Sequence, residues 1–248
     1  MSESNISFSS QEQNTDRAKD LGFDINEMME AGMHFGHKTS KLHPRMKDFV
    51  VGVRNTVHLI DLEETARQLK TALDFLQNII EKGAVVLICS TKPPLAELVK
   101  SIAQECALPY VVNRWVGGTF TNFAEIRKRI HRFQQLSEEK KSGAWEKYTK
   151  KEQLKKEALL EDLKEKFEGL QGLEKLPDVV FVCDAVKDSL CLKEARSKGI
   201  KTIAIIDTNA DPLCADYPIF ANDDAMSSVK YILDKVKEVI LKAKGAKQ

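Results

Sequence analysis

The sequence predicts an α/β protein: a doubly wound, mostly parallel sheet flanked by helices, with an inserted antiparallel, coiled-coil-like helical hairpin. The sheet is predicted because short, continuously apolar runs alternate with amphipathic helical segments, a pattern typical of strands buried on both faces. The hairpin is predicted because residues 122–167 lack any strand-like run and consist of charged, helix-favouring sequence. With 248 residues, the chain can form one or two domains with a substantial core.

Four apolar runs are the candidate strands. The first covers residues 49–53, and the run at 84–90 is apolar almost throughout. The other two lie at 179–183 and 202–206. Since helical segments separate the later runs from one another, we expect these strands to pair in parallel.

The first long helix is predicted to begin at Asp61, because Glu64 follows at the spacing of a capping box. Gly83 is expected to end it, since glycine readily adopts the left-handed conformation found at helix ends. Further helices are predicted to begin near Pro93 and Pro94, to end at Gly199, and to begin at Asn222 or Asp223.

The hairpin is predicted from two apolar stripes that are separated by a turn at Ser142-Gly143. Spacings of three and four residues place each stripe on one face of its helix, and we expect the two stripes to pack together. The first stripe contains Phe123, Ile126, Ile130 and Phe133, and the second contains Leu154, Leu159 (or Ala158) and Leu163.

These elements predict four parts of the chain. Residues 1–20 form a flexible N-terminal extension, because they are polar and poor in apolar side chains. The α/β domain comprises residues 21–120 and 173–235. The helical hairpin, residues 121–172, is inserted into it, and residues 236–248 form a basic C-terminal tail.

Charge is balanced overall but unevenly distributed. Lys and Arg number 38 and Asp and Glu 37, which gives a net charge of +1 and excludes a uniformly basic, histone-like protein. Residues 31–58 carry five basic and one acidic residue, and residues 113–156 carry twelve basic and five acidic. The region from residue 235 onward has five lysines and one Glu. Such segments favour binding to a polyanion through part of the surface.

The sequence predicts a soluble, cytoplasmic protein. No apolar run reaches the roughly 18 residues of a membrane span, and the first 20 residues lack the apolar core of a signal peptide. Five cysteines, an odd number, occur mostly inside apolar runs without a C-x-x-C pair. This pattern is typical of reduced core thiols.

Few residues suggest catalysis or metal binding. The common phosphate-loop, dinucleotide, zinc-protease and nucleophile-elbow motifs are absent from the sequence. His34 and His37 are spaced to share a helical face as metal ligands. No carboxylate or cysteine stands at ligand spacing beside them, so packing or RNA contact is the favoured interpretation. Asp207, Asp211 and Asp216 follow a strand and suit either Mg²⁺ or turns. We expect no catalytic residue, no metal and no cofactor.

The loop around Gly117-Gly118-Thr119 precedes a helix and has two interpretations. Its backbone N–H groups suit a phosphate, either of a nucleotide or of a nucleic-acid backbone. Arg114 stands beside it, which favours a backbone-contacting loop. Trp115 is either a core aromatic or a base-stacking one.

Four segments resemble the family of bacterial small-subunit ribosomal protein two. They are MMEAGMHFGHKTSKLHPRMKDFVVGVRNTVHLIDLEET (28–65), RWVGGTFTNFAEIRKRI (114–130), LPDVVFVCDA (176–185) and AIIDTNADPLCADYPIFANDDA (204–225). The resemblance implies an α/β domain with an inserted helical hairpin, docked on small-subunit ribosomal RNA between head and body. It also implies neighbouring ribosomal proteins, including the large mRNA-recruiting protein one, and no enzymatic activity.

We therefore predict a structural, rRNA-binding protein of the small ribosomal subunit that supports translation, with no membrane or small-molecule partner. One alternative is a Rossmann-like nucleotide-binding enzyme or regulator that uses the Gly117-Gly118 turn. Another is an adaptor that binds proteins through the hairpin alone. The predicted rRNA-binding residues are Lys38, Lys41, Arg45, Lys47, Arg54, Arg114, Trp115, Arg127, Lys128 and Arg132.

Overall fold

The computed structural model describes residues 22–245, so the predicted extension at residues 1–20 lies outside the described residues. The chain divides into two compact units. Among the described residues, one unit combines 22–79 with 204–245, and the other comprises 80–203. The four parts predicted from the sequence remain a prediction.

A small antiparallel sheet lies near the N-terminal end of the described chain. Its strands are β1 (Phe35–Lys38), β2 (Val50–Arg54) and β3 (Val57–Ile60), in the order β1-β3-β2. Asn55 and Thr56 both have positive φ angles, which allows the tight connection between β2 and β3. The strand predicted at 49–53 corresponds to β2. β1 and β3 were not predicted, because they are short and contain polar residues.

The principal sheet has five strands in the order β5-β4-β6-β7-β8. β4 pairs in parallel with both β5 and β6. All four residues of β4 and of β6 are buried, as expected of strands covered on both faces. The predicted α/β class with a mostly parallel sheet is confirmed. The strands are β4 (Val86–Cys89), β5 (Tyr110–Val111), β6 (Val179–Val182), β7 (Lys201–Ile206) and β8 (Tyr217–Phe220).

Seven α-helices occur among residues 22–245, and local capping explains several of their ends. The Asp61 carboxylate accepts hydrogen bonds from the N–H groups of Glu63 and Glu64, and Gly199 ends its helix with a φ of 69°. The helices are α1 (Ile25–Glu30), α2 (Leu62–Glu81), α3 (Ala96–Glu105), α4 (Phe123–Lys141), α5 (Lys150–Phe167), α6 (Ser189–Lys198) and α7 (Met226–Gly245).

The start predicted for the last helix is wrong by three to four residues. Asn222 does not begin α7; its side chain accepts from the N–H groups of Asp224 and Ala225 in a turn that precedes the helix. The helix then continues to Gly245, with Val236 and Ile240 buried. Residues 236–245 of the predicted tail are therefore helical.

Helices α4 and α5 pack against each other in opposite directions. Lys140 Nζ lies 2.6 Å from Glu157 Oε1, and Lys156 Nζ lies 2.9 Å from Glu139 Oε2. A capping box between Thr149 and Glu152 begins α5. The first apolar stripe is largely as predicted, because Ile126, Ile130, Phe133 and Leu136 are buried and Phe123 is half-buried.

The second stripe was predicted correctly only at Leu163. Leu154 and Leu159 are 67% and 43% exposed, whereas Leu160, Leu163 and Phe167 are buried. The buried residues are spaced by three and four, so they share one helical face. Leu154 and Leu159 are five residues apart, and that spacing departs from a single face.

None of the helices within residues 22–245 combines the length and apolar character needed to cross a bilayer.

Alanine substitutions on α5 test this assignment. Leu160→Ala should lower the free energy of unfolding by about 2 kcal/mol, because it removes buried methyl groups and leaves a cavity. Leu154→Ala should change it by less than about 0.5 kcal/mol, because the side chain is exposed. Urea unfolding followed by circular dichroism provides the comparison. Equal losses for the two variants would contradict the assignment.

Candidate nucleic-acid interface

The first basic group comprises the five residues predicted between β1 and the end of β2. All five side chains are exposed. Arg45 donates to Asp211 across 2.7 Å. The side chains of the other four make no hydrogen bond or ion pair with any residue in the described part of the chain, so their charges are available to a ligand. The group consists of Lys38, Lys41, Arg45, Lys47 and Arg54.

A buried threonine fixes the segment that carries this group. Thr208 Oγ1 accepts from the N–H of His37, and its carbonyl oxygen accepts from the N–H of His43, both at 2.8 Å. A Cβ atom at Gly36 would lie 2.6 Å from Thr208 Cγ2. Because Thr208 is fully buried and cannot move aside, only glycine fits at position 36. These contacts position the two 3-10 turns, Thr39–Lys41 and Pro44–Phe49, that follow.

The histidines in this segment do not share a helical face. His37 lies in strand β1 and His34 directly precedes it, so the helical spacing considered for a metal site is wrong. His37 Nδ1 instead lies 3.0 Å from Asp207 Oδ2, and this carboxylate raises the pKa of His37. Ligand atoms of His37, Asp207 and Asp223 lie within 4.8 Å of one another. One imidazole and two carboxylates form a donor set that a divalent cation accepts.

The aspartates considered as an Mg²⁺ cluster have separate environments. Asp207 is buried beside His37. Asp211 accepts hydrogen bonds from the N–H of Leu213 and from Arg45, and these two bonds lower the pKa of its carboxyl group. Asp216 is exposed. The turn interpretation therefore applies to Asp211.

The loop between β5 and α4 is organised by a carboxylate from α6. Glu194 Oε1 accepts from the N–H of Gly118 at 2.8 Å and from the Trp115 indole at 3.3 Å. Its Oε2 accepts from the N–H groups of Phe120 and Thr121 at 2.9 and 3.1 Å, and from the Thr121 hydroxyl. An internal anion thus occupies the N–H groups that a phosphate would need.

Two predictions about this loop are corrected by the bonds to Glu194. The glycine turn is not an open phosphate cradle, because its donors are already used within the protein. Trp115 is only 8% exposed and packs edge-on against Phe120, with ring centroids 4.8 Å apart. It is a core aromatic and offers no face to a base. Arg114, by contrast, is exposed and unpaired within the described chain.

The protonation of Glu194 reflects two opposing effects. Burial alone would raise the pKa of its carboxyl group. Hydrogen bonds from three backbone N–H groups and from the indole outweigh burial, so the pKa lies below its ordinary value of 4.5. The loop therefore contains a carboxylate that stays ionised at neutral pH.

The second basic group lies on and just before α4, and comprises Arg114, Arg127, Lys128 and Arg132. The three helical residues are exposed, whereas Ile126 and Ile130 between them are buried. Lys128 pairs with Glu125 at 2.6 Å. The Arg127 side chain forms no ion pair in the described region, so its guanidinium group is free to contact a ligand.

At the end of α5, several contacts hold the helical pair against the residues around β5 and α3. The Asn113 side chain donates to the Glu165 carbonyl at 3.0 Å, and Lys100 pairs with Glu168 at 3.1 Å. A Cβ atom at Gly169 would overlap the Tyr110 carbonyl oxygen. Only glycine allows this close approach of the chain to β5.

Comparison with known proteins now decides the family. The model of the family described as ribosomal protein S2 matches residues 28–243. The chain belongs to this family. Its relatives include the small ribosomal subunit protein uS2 of Dictyoglomus thermophilum, which is 39% identical over 224 residues, covering 90% of this chain and 91% of the relative. The small ribosomal subunit protein uS2 of Coprothermobacter proteolyticus is 38% identical, with 90% of this chain and 84% of the relative covered. The uS2 protein of Helicobacter hepaticus is also 38% identical, with 89% of this chain and 84% of the relative covered.

Membership of the ribosomal protein S2 family confirms the resemblance inferred from the four sequence segments. Members of this family are structural and not catalytic, which confirms the prediction that the chain is not an enzyme.

Sequence reasoning missed the two residues that organise these loops, Glu194 and Thr208. Glu194 did leave a signal: it lies beside Ala195 and three residues after Cys191, both buried, so a charged residue occupies a core-facing helical position. Thr208 left none, since a threonine after a strand is typical of any turn. Its role depends on distant contacts, such as the one with His37, which is 171 positions away in the sequence.

The variant Glu194→Gln tests the loop and its electrostatics. At pH 7 it should lose about 2–3 kcal/mol of unfolding free energy, because an amide replaces the charge-assisted acceptor of buried N–H groups. Because the folded pKa of Glu194 is depressed, its contribution is complete above about pH 4.5 and is lost as the pH falls through the folded value. The difference between wild type and variant should therefore shrink below about pH 4.

Urea unfolding at pH 7 and pH 3.5 measures this difference. The exposed Glu174→Gln provides the matched control and should change stability little at either pH. A difference for Glu194→Gln that is the same at both pH values would refute the electrostatic explanation.

Proposed function

We propose that this chain is a structural constituent of the small ribosomal subunit that binds small-subunit rRNA at the junction of head and body and thereby supports translation. Its partners are the rRNA and neighbouring ribosomal proteins, including the mRNA-recruiting protein one. The proposal includes neither a small-molecule substrate nor a cofactor.

One observation supports RNA binding above all others: exposed cations, most of them without internal partners, occur on positioned segments of a ribosomal protein S2 family member. Lys and Arg side chains that meet phosphates release condensed counterions, which drives binding without reading sequence. A-form RNA is recognised largely by shape and backbone, so basic side chains at fixed spacings suffice. The proposed contacts are Lys38, Lys41, Arg45, Lys47, Arg54, Arg114, Arg127, Lys128 and Arg132.

Rigid presentation supports the same conclusion. Thr208 anchors the first basic group, and Glu194 anchors the loop that leads into the second. A preorganised cation loses less conformational entropy when it binds phosphate than one on a loose segment.

The nucleotide-binding alternative is disfavoured by the same geometry. Glu194 occupies the N–H groups of Gly118 and Phe120, so a nucleotide phosphate would have to displace a buried carboxylate. The second alternative, an adaptor that binds proteins through the hairpin alone, is distinguished by salt: such a protein should show no salt-sensitive RNA binding.

Salt titration tests the electrostatic mechanism. If at least four basic residues contact phosphates, log affinity for small-subunit rRNA should fall against log salt with a slope steeper than about −2.5. Filter binding at several potassium concentrations measures the slope. A flat dependence would exclude phosphate neutralisation as the source of affinity.

Charge reversal on α4 separates RNA binding from folding. The triple variant Arg127→Glu, Lys128→Glu and Arg132→Glu should remain folded by circular dichroism, since each exposed change costs only about 0.5 kcal/mol. It should be depleted from assembled small subunits in sucrose gradients, because phosphate contacts are lost and repulsion is added.

Two controls accompany this triple variant. Lys82→Glu, Lys193→Glu and Lys198→Glu change the net charge equally at exposed positions outside the proposed contacts, so this protein should incorporate normally. Ile130→Asp places a charge at a buried position of α4 and should disrupt the helical pair. If the α4 triple variant incorporates as well as wild type, α4 is not an RNA contact.

A further inference from the structure

We propose that Gly117 is a contact point for the sugar–phosphate backbone of small-subunit rRNA, which packs against its bare Cα atom while an adjacent phosphate meets Arg114. The inference rests on the proposed function and adds a contact that the two basic groups do not include. Of the two neighbouring glycines in the loop between β5 and α4, the fold requires Gly118 and does not require Gly117.

Gly118 is required by the backbone of its turn. The N–H of Thr119 donates to the carbonyl of Val116 across 3.1 Å, which closes a turn with the two glycines at its centre. Gly118 has a φ of 92°, in the left-handed region where a side chain is strained. Such a turn needs glycine at its second central position, whereas its first central position accepts most residues.

Gly117, by contrast, has room for a side chain. Its φ is not positive, and a Cβ atom would meet nothing closer than Leu190 Cδ2 at 3.8 Å, an ordinary van der Waals distance. Glycine loses more conformational entropy on folding than alanine does, so the folded chain alone favours alanine here. Because Gly117 is exposed, the missing side chain leaves its Cα atom open to a molecule outside the chain.

Flexibility does not explain the glycine, because hydrogen bonds hold the loop around it. Glu194 accepts from the N–H groups of Gly118 and Phe120 at 2.8 and 2.9 Å. The hydroxyl of Thr119 donates to the Val116 carbonyl at 2.6 Å. A bare position on a loop that is held in place suits the close approach of another molecule's backbone, which a side chain would prevent.

The charge of the loop indicates that the approaching backbone is that of a nucleic acid. Residues 106–124 contain no Asp or Glu, and the exposed Arg114 stands three positions before Gly117. Glu194 is buried and surrounded by the groups that donate to it, so it adds little negative charge to the surface. A phosphodiester chain carries a negative charge at every nucleotide, so a segment packed on Gly117 can place a phosphate at Arg114. Such contacts position an RNA without reading its bases.

The variant Gly117→Ala tests the proposal with a single methyl group in the full-length chain. It should unfold at the same urea concentration as wild type or at a slightly higher one, since the Cβ atom has room. Its affinity for transcribed small-subunit rRNA, measured by filter binding, should fall at least about tenfold, because the methyl group occupies the space of the RNA backbone.

Two further glycine variants are the controls. Gly172→Ala adds a methyl group at another exposed glycine, which has no positive φ and no atom within 4 Å of the added Cβ. It should change neither the urea midpoint nor the affinity for rRNA. Gly118→Ala should lower the urea midpoint because its φ is positive, which shows that the two glycines of the loop differ in the folded chain.

A double-mutant cycle tests whether Gly117 and Arg114 contact the same stretch of RNA. Arg114→Gln should weaken binding and make the salt slope shallower by about 1, as the loss of one phosphate contact does. The double variant should bind more tightly than the product of the two single losses predicts. The reason is that an RNA backbone displaced from Gly117 no longer places its phosphate at Arg114.

Several outcomes would overturn the proposal. If wild type binds rRNA and Gly117→Ala binds it equally well, the RNA backbone does not approach this position, and the proposed function stands without the contact. Failure of wild type to bind rRNA would overturn the proposed function and the contact together. Normal rRNA affinity of Gly117→Ala combined with its depletion from assembled subunits would assign the position to a neighbouring protein. Fully multiplicative losses in the cycle would place Gly117 and Arg114 against separate parts of the RNA.

Discussion

The carboxylate of Glu194 collects donors from the whole loop between β5 and α4, and the second basic group depends on the geometry it imposes. The backbone N–H groups of Gly118, Phe120 and Thr121 converge on its two oxygens, and the Trp115 indole joins them. A buried charge is tolerated there because every bond is charge-assisted. Without it, three backbone donors would lack acceptors, and the start of α4 would lose its fixed position.

The unit that carries the first basic group uses the same principle with a neutral residue. Thr208 accepts through both its hydroxyl and its carbonyl from the strand and turn that precede Lys41 and Arg45. Gly36 lets the two segments approach closely enough for these bonds to form. In each unit a single buried polar side chain therefore organises a segment whose charged residues point to solvent. The internal hydrogen bonds position each segment, and the exposed charged side chains on that segment are available for binding.

The sequence predicted those features that depend on local pattern. Runs such as residues 179–183 became strands because continuous apolar character leaves few alternatives. The second stripe of the helical pair was misplaced because α5 has more leucines than buried positions, and composition alone does not choose between Leu159 and Leu160. Gly117-Gly118 was open to a phosphate interpretation because the sequence shows Glu194 only as a charged residue at a core-facing position. It does not show that Glu194 is the partner of a loop 76 positions earlier. Local sequence pattern does not show which distant residue will form a hydrogen bond with a given polar group.

The two basic groups belong to different units of one polypeptide, and this linkage has a kinetic consequence. When one group has engaged an RNA, the other is presented to the same molecule at an effective concentration of about millimolar, rather than at that of free protein. An RNA that reaches both groups acquires a long residence time, and an RNA that reaches only one exchanges quickly. If both groups contact one RNA as proposed, this linkage favours RNAs whose phosphates can meet both groups, whatever their base sequence.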